Sequence, residues 1–205
     1  MKKTVITLVC GCIIFLVSGC KTTQYSGFLE DYSGFVKSEK ISGAEVYVNP
    51  NKNLADYNSY LVKPVVVHFA PDSKGVSVNP DTLDELTNYF HDKLVEQISS
   101  KYTVVKTPDK DTLVIKTAIT DLKAAIPALN IHPGTKLSGA GLGGASVEAE
   151  GVDSETGERV VAFVHTGKGN RLSLTAGLST WEHAKQVMDF WAEKAVERLD
   201  EVHSK

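Results

Sequence analysis

The sequence contains few of the residues on which catalysis and metal binding usually depend. Only 3 of its 205 residues are cysteine, and all three lie within the first twenty positions. The 6 histidines form no H-E-x-x-H pair, and no G-x-S-x-G motif is present. Zinc ligands and an activated serine nucleophile therefore have no signature in this chain. We predict a protein that is not an enzyme and that uses no cofactor and no metal.

The charge also excludes one large class of partner. The chain has 22 Lys and Arg against 25 Asp and Glu, a formal net charge of −3. Nucleic-acid binding depends on basic patches, so we expect no nucleic-acid partner. After the N-terminal region, no apolar run approaches the roughly 20 residues of a membrane-spanning helix. We therefore expect the body of the chain to lie in water.

The long apolar run that the chain does have is residues 4–17, which follows two lysines. At about 14 residues it is short for a spanning helix and typical of a secretory signal peptide. Its end, Leu16-Val17-Ser18-Gly19-Cys20, resembles the bacterial lipobox. The resemblance implies that the Gly19–Cys20 bond is cut, that the sulfur of Cys20 receives a diacylglycerol, and that the new amine is acylated.

Two other interpretations of this region stay open. Cleavage before Cys12 would leave only about eight apolar residues, which is at the low end for a signal-peptide core. A retained N-terminal anchor is the second alternative. Cleavage at Cys20 is favoured because Cys10 and Cys12 then leave with the signal peptide and Cys20 is capped by lipid. No free thiol would remain in an oxidising compartment.

The lipobox predicts how the chain is divided. Residues 1–19 are a lipoprotein signal peptide, residues 20–40 a lipidated N-terminal tether, and residues 41–205 a single periplasmic α/β domain. Aromatic and leucine side chains between 25 and 35 indicate that the later part of the tether packs onto the domain. Lys21, rather than Asp, follows the cysteine. In Gram-negative lipoproteins this favours the outer membrane, and we predict anchorage in its periplasmic leaflet.

The remaining pattern predicts an α+β sandwich, with a mixed sheet of about five to six strands and two main helices packed on it. One helix, 80–99, starts at Asn79-Pro80 and carries an apolar stripe at steps of three and four. The other, 180–202, follows a capping box formed by Ser179 and Glu182. Strands are predicted at 44–48, 60–70 with Pro64 at an edge or bulge, 102–106, 112–122, 146–153 and 158–166.

Two groups of residues suggest chemistry and have simpler explanations. Residues 139–144 contain G-x-G-x-x-G, but a dinucleotide site needs a strand before the motif and a helix after it. A Pro- and Gly-rich stretch precedes the motif here, and a β-like segment follows, so we interpret it as a loop. Glu148 and Glu150 share one strand face. We expect that face to be exposed, because ionised acids stay in water unless they are paired.

Several stretches together resemble a Gram-negative lipoprotein family, Domain of Unknown Function 3313. They are Gly27-Phe-Leu-Glu-Asp-Tyr32, Tyr47-Val-Asn-Pro50, Pro64-Val65, Ala118-Ile-Thr-Asp-Leu122, Glu148-Ala-Glu-Gly-Val-Asp-Ser-Glu-Thr-Gly157, Trp181 and Asp189-Phe-Trp-Ala192. The family has no known catalytic residues, so the resemblance implies only the lipidated Cys20. More loosely, residues 61–122 are similar to periplasmic domains of envelope lipoproteins that assemble secretion pores or activate wall synthases.

Two hypotheses about function follow. The first, which we favour, is a non-enzymatic outer-membrane lipoprotein that binds an envelope partner or oligomerises through its α/β domain. The alternative is a periplasmic hydrolase or small-ligand-binding lipoprotein that uses the region 123–170 with Glu148, Glu150 and His165. The alternative requires those three side chains to converge in one concave pocket.

Overall fold

A computed structural model describes residues 25–131, 133–170 and 178–204. They form an α+β sandwich with one mixed sheet of eight strands, which confirms the predicted fold class. The sheet exceeds five to six strands because the strand Val36–Lys37 was not predicted and the predicted strand 60–70 is two strands. The strands are β1 Val36–Lys37, β2 Ala44–Val48, β3 Ser59–Val62, β4 Val66–Val67, β5 Thr103–Val104, β6 Thr112–Lys123, β7 Gly144–Asp153 and β8 Arg159–Lys168. The helices are α1 Pro80–Ser99, α2 Pro127–Ile131, α3 Pro133–Ser138 and α4 Glu182–His203.

The strands lie in the order β1-β2-β8-β7-β6-β3-β5, and β4 also pairs with β6. Neighbours from β1 to β6 are antiparallel, while β3, β4 and β5 join in parallel. The long hairpin of β7 and β8 therefore lies in the middle of the sheet. Glu148 is central in it, opposite Ala118 on β6 and Val164 on β8.

Helix α1 has the predicted bounds because its signals are local. Asn79 is the N-cap, and its Oδ1 accepts a hydrogen bond of 2.8 Å from the amide of Asp81. Pro80 occupies the first turn, where its missing N–H costs nothing. The predicted stripe faces the sheet, with four of its side chains in the core: Leu86, Phe90, Leu94 and Ile98.

The predicted strand 60–70 is two strands. β3 and β4 both pair with β6, and residues 63–65 interrupt them. Pro64 has no N–H to give to the ladder, so pairing stops at this position. It resumes at Val66, which lies opposite Ala118, and the amide of His68 then bonds to the carbonyl of Ile119 at 3.0 Å.

The predicted capping box of α4 is wrong. The helix begins at Glu182, its N-cap is Trp181, and no side chain caps it. The reason is tertiary, because the carbonyl of Thr180 accepts a hydrogen bond of 2.8 Å from the amide of Ala125. The residues before the helix are therefore held by the β6–α2 connection. Trp191 lies in the core, and Trp181 packs against the core cluster.

The glycine stretch 139–144 is explained by close packing. A Cβ at Gly143 would lie 2.7 Å from the carbonyl oxygen of Lys123, and one at Gly144 would lie 2.3 Å from that of Gly167. Two short helices, α2 and α3, precede the stretch, where the sequence indicated an irregular segment.

The helix layer is narrower than the sheet. Seven strands in sequence span about 29 Å at about 4.8 Å per spacing. Two helices about 10 Å apart cover only about 20 Å of that width. Both long helices lie on one face, and the strands at the β1–β2 edge remain partly uncovered there. A groove between α4 and this edge of the sheet is the consequence.

Candidate functional site

The opposite face of the sheet is crossed by residues 25–35, which we term the N-terminal strap. Leu29 is buried in a small apolar cluster with Ala162 and Val164 of β8. The strap contributes further ring contacts, and the centroids of Tyr25 and Tyr32 stack 4.0 Å apart. The expectation that the aromatic residues of this segment pack onto the domain is confirmed.

The strap is attached at the centre of the sheet by a buried carboxylate. Glu148 on β7 has an exposed fraction of 0%. Its Oε1 accepts a hydrogen bond of 2.5 Å from the amide of Ser26, and its Oε2 accepts one of 2.6 Å from Tyr32. Burial, together with the hydrogen bond to Glu148, raises the pKa of Tyr32 to about 12. The expectation that Glu148 lies on an exposed face is therefore wrong, because the strap covers it.

A second carboxylate extends this attachment. Glu150 accepts hydrogen bonds from Lys116 at 3.0 Å and from Nε of Arg159 at 2.8 Å. The guanidinium of Arg159 also donates to the backbone carbonyls of Leu29 and Asp31 in the strap. Arg159 thus joins β8 to the strap while its charge is balanced by Glu150. The two glutamates do share a face, as predicted; Glu148 bonds to the strap directly, whereas Glu150 acts through Arg159.

His165 lies on the other face of the sheet. Its Nδ1 accepts a hydrogen bond of 2.8 Å from the indole nitrogen of Trp191, and the backbone of Ser42 bonds to the ring. Burial lowers the pKa of His165, so the ring is held neutral. His165 therefore does not converge with Glu148 and Glu150, and the pocket that the hydrolase hypothesis requires is not formed by these residues.

His183, which lies near the glycine stretch, also has a structural role. His183 is buried at the start of α4, and its Nδ1 accepts a hydrogen bond of 3.2 Å from the amide of Gly143. Burial lowers the pKa of His183. Across residues 25–131, 133–170 and 178–204, no group of three or more His, Cys, Asp and Glu has the geometry of a metal site.

The groove between α4 and the β1–β2 edge of the sheet has a volume of about 490 Å³. This volume is within the range of roughly 300–1,000 Å³ that is typical of ligand pockets. Its floor is formed by Phe90 and Leu113, and its mouth by half-exposed apolar side chains of the strands. The charged residues at its rim are Lys37, Glu39, Lys40, Lys194, Glu197, Arg198 and Glu201.

The turn between β7 and β8 is fixed by Asp153. Its Oδ1 accepts hydrogen bonds from the amides of Glu155 and Thr156, at 3.0 and 2.8 Å. Its Oδ2 accepts one of 2.9 Å from Tyr57 and pairs with Lys52 at 3.2 Å. These donors, led by the amide of Thr156, hold the pKa of Asp153 well below its usual range.

The predicted lipidation site lies outside the described residues. Gly19 and Cys20 both precede residue 25, so cleavage and acylation stay predictions. In the part of the chain that the structure describes, no helix has the length and apolar character needed to cross a bilayer.

Sequence reasoning missed the roles of Tyr32 and Arg159. The signal available was the density of aromatic residues in a segment that a simple linker would not need.

Comparisons with known proteins agree with the family resemblance. A family model described as "Protein of unknown function (DUF3313)" matches residues 24–195. The chain is 27% identical over 206 residues to "Uncharacterized lipoprotein YdcL" of Escherichia coli strain K12, an alignment that covers 90% of this chain and 91% of that protein. The corresponding protein of E. coli O157:H7 gives the same values.

Among solved structures, the chain is similar to the PelC dodecamer from Paraburkholderia phytofirmans, with a TM-score of 0.44 and 14% identity. That alignment covers 75% of this chain and 97% of the PelC chain. It is also similar to the hypothetical protein CT253 from Chlamydia trachomatis, with a TM-score of 0.39 and 11% identity. The second alignment covers 72% of this chain and 99% of that one.

Proposed function

Because this chain belongs to the DUF3313 family, and because a relative over nearly its whole length is named a lipoprotein, we propose that it is a lipoprotein anchored through Cys20. The anchor lies in the periplasmic leaflet of the outer membrane, as the lysine at position 21 favours. Two or three acyl chains on one cysteine are sufficient for stable attachment. The family membership itself assigns no reaction and no partner.

The observation that carries this proposal is the attachment of the strap to the sheet. Ser26 is bonded to Glu148, and Tyr25 donates a hydrogen bond to Glu45 on β2. Only residues 20–24 connect the predicted lipid to this attachment. Five residues span at most about 18 Å, so the domain would be held against the bilayer rather than on a long linker.

We further propose that the domain is a non-enzymatic accessory module whose groove binds an apolar segment of another envelope protein. The mouth of the groove exposes Val36 and Val48, whose exposed fractions are 61% and 47%. Its rim has lysine, arginine and glutamate side chains that can pair with polar flanks of such a segment. His165 and the glutamates already have structural partners, which supports a role without catalysis.

The small-ligand alternative is favoured by the volume of the same groove. An apolar small molecule would occupy the floor between Phe90 and Leu113, whereas a protein segment would also contact the mouth. The two candidates therefore differ in how far the contacts extend toward Val48.

The anchor is tested by Cys20→Ser in cells that are fed labelled palmitate. The unchanged chain should incorporate label, lose residues 1–19, and fractionate with outer membranes. The variant should do none of these, while Cys12→Ser behaves as the unchanged chain. Label in the Cys20→Ser chain, or an uncut leader with no acyl group at position 20, would refute the anchor.

The partner is tested with a photoreactive amino acid in place of Val48 or, as a control, of Val66. Both valines are exposed to similar degrees, 47% and 45%, but Val66 lies outside the groove. We expect one crosslinked protein from position 48 and none from position 66. Ala195→Trp, which fills the groove, should abolish the crosslink. A crosslink that survives Ala195→Trp would contradict the proposal. A product of twice the chain's mass would show that the groove binds a second copy of this chain. A small adduct would show that the groove binds a small ligand.

A further inference from the structure

We propose that one end of the sheet is a contact surface for an anionic phospholipid bilayer. This surface, which we term the basic end, consists of the connections 70–79, 123–131, 133–143, 168–170 and 178–181. The inference rests on the proposed lipid anchor, since it states which side of the anchored domain faces the membrane.

These connections form one continuous surface. The amide of Ala125 bonds to the carbonyl of Thr180 at 2.8 Å, and the amide of Ile126 bonds to that of Gly141 at 3.0 Å. The 70–79 connection is attached to the same end of the sheet, because Asp121 near the end of β6 accepts a hydrogen bond of 2.9 Å from the amide of Lys74. The starts of α1 and α4 lie at this end as well.

The basic end exposes large apolar side chains that the fold does not use. The exposed fractions are 67% for Val76, 48% for Ile126, 68% for Ile131 and 58% for Leu178. At the opposite end of the sheet, the connections 49–58, 105–111 and 154–158 expose no large apolar side chain among the described residues. Exposed apolar side chains gathered on one surface mark a contact with a protein or a membrane.

The two ends of the sheet also differ in charge. The connections of the basic end have four Lys or Arg residues and one acid, Asp72, and the first turns of α1 and α4 add Asp81 and Glu182. The opposite connections, which we term the acidic end, have three basic residues and five acids. Lys74, Lys123 and Lys168 are exposed, and none of them forms an ion pair with any described residue. Basic side chains beside exposed apolar ones are the composition that binds anionic lipid surfaces.

The strap starts near the middle of β7, within reach of the basic end. Strand β7 runs from Gly144 at the basic end to Asp153 at the acidic end. The strap meets Glu148 first, at Ser26, and then the Arg159 side chain nearer the acidic end, at Leu29 and Asp31. Tyr25 bonds to Glu45 on β2 and Tyr32 returns to Glu148, so the strap crosses the strands and its start lies at the level of Glu148.

Residues 20–24 are long enough for the lipid anchor to reach the basic end. Glu148 is four residues from Gly144, which is about 13 Å along a strand. Residues 20–24 span up to about 18 Å, so a lipid on Cys20 reaches the level of the basic end. The anchor, the exposed apolar side chains and the unpaired lysines can then meet one bilayer surface together.

The test uses the full lipidated chain, extracted from cells and reconstituted into vesicles of phosphatidylethanolamine and phosphatidylglycerol. Ile131→Cys places a single thiol at the basic end for an environment-sensitive fluorophore, because Cys20 is acylated. Lys110→Cys, at the exposed acidic end, is the matched control. We expect spin-labelled lipid to quench the label at position 131 several-fold more strongly than the label at position 110. Lys123→Glu combined with Lys168→Glu should reduce quenching at position 131.

Flotation of the vesicles separates the two proposals. If the chain floats but both labels are quenched equally, the basic end is not a contact surface and the anchor still stands. If the chain does not float, the anchor fails and the contact surface that rests on it fails too. If position 131 is quenched as strongly in purely zwitterionic vesicles as in vesicles with phosphatidylglycerol, the bilayer contact stands but the requirement for anionic lipid is overturned.

Discussion

The phenol of Tyr32 donates a hydrogen bond of 2.6 Å to Glu148, a residue 116 positions later that is completely removed from solvent. This bond joins the described segment nearest the predicted lipid to the middle of the sheet. Attachment to the membrane and the integrity of the fold are therefore linked through one carboxylate. A buried carboxylate is costly unless its oxygens are satisfied, and Tyr32 and Ser26 satisfy one each.

Tyr32→Phe should lower the free energy of unfolding by about 1–3 kcal/mol, because a buried charged acceptor loses its hydrogen-bond donor. Urea denaturation of the purified chain measures this. Tyr25→Phe is the control, because the hydrogen bond from Tyr25 to Glu45 is exposed. A loss as large for Tyr25→Phe as for Tyr32→Phe would show that burial of Glu148 is not the cause.

Asp153→Asn should weaken the response of stability to acid. The pKa of Asp153 is lower in the folded chain than in the unfolded one, so its ionised form stabilises the fold. That contribution is complete above the ordinary carboxyl pKa of about 3.9 and is lost as the pH falls below it toward the folded value. Urea titrations between about pH 3 and 7 should show a shallower acid limb in the variant. Asp72→Asn, on an exposed loop, should leave the limb unchanged.

His165→Gln should reduce the loss of stability between about pH 7 and 5. Burial lowers the pKa of His165, so the unfolded chain takes up a proton below about pH 6.5 while the folded chain does not. Acid therefore favours unfolding. Glutamine can still accept the hydrogen bond of Trp191 but does not titrate. His91→Gln, on the surface of α1, is the control, and an unchanged slope in His165→Gln would contradict the assignment.

Gly144→Ala should destabilise the fold by about 1–3 kcal/mol, the usual cost of overpacking. The new methyl group would lie 2.3 Å from the carbonyl oxygen of Gly167, on the neighbouring strand, which cannot move without breaking the β7–β8 ladder. Thermal unfolding followed by circular dichroism measures the effect. An unchanged melting temperature would show that the hairpin is more plastic at its start than the contacts indicate.

The parts of the fold that were predicted correctly depend on neighbours in sequence. Helix α1 has its cap, its proline and its apolar stripe within twenty-one residues, and its observed bounds match the predicted ones. The hairpin of β7 and β8 likewise has its turn residues beside its strands. The start of α4 was placed too early because the residues before it bond to the β6–α2 connection, which no local pattern reveals.

The sequence by itself determined the two long helices, the long strands, the apolar N-terminal run and the family resemblance, because each of these is encoded in periodicity or in a short contiguous motif. Only the tertiary structure decided that Glu148 is buried, that His165 faces away from it, and that four exposed apolar side chains, Val76, Ile126, Ile131 and Leu178, lie at one end of the sheet. Burial and convergence depend on which distant segments cover a strand face. Here the strap covers part of one face of the sheet. On the other face, the two long helices are together narrower than the sheet and leave a groove. Neither feature follows from the alternation of residues along a single strand.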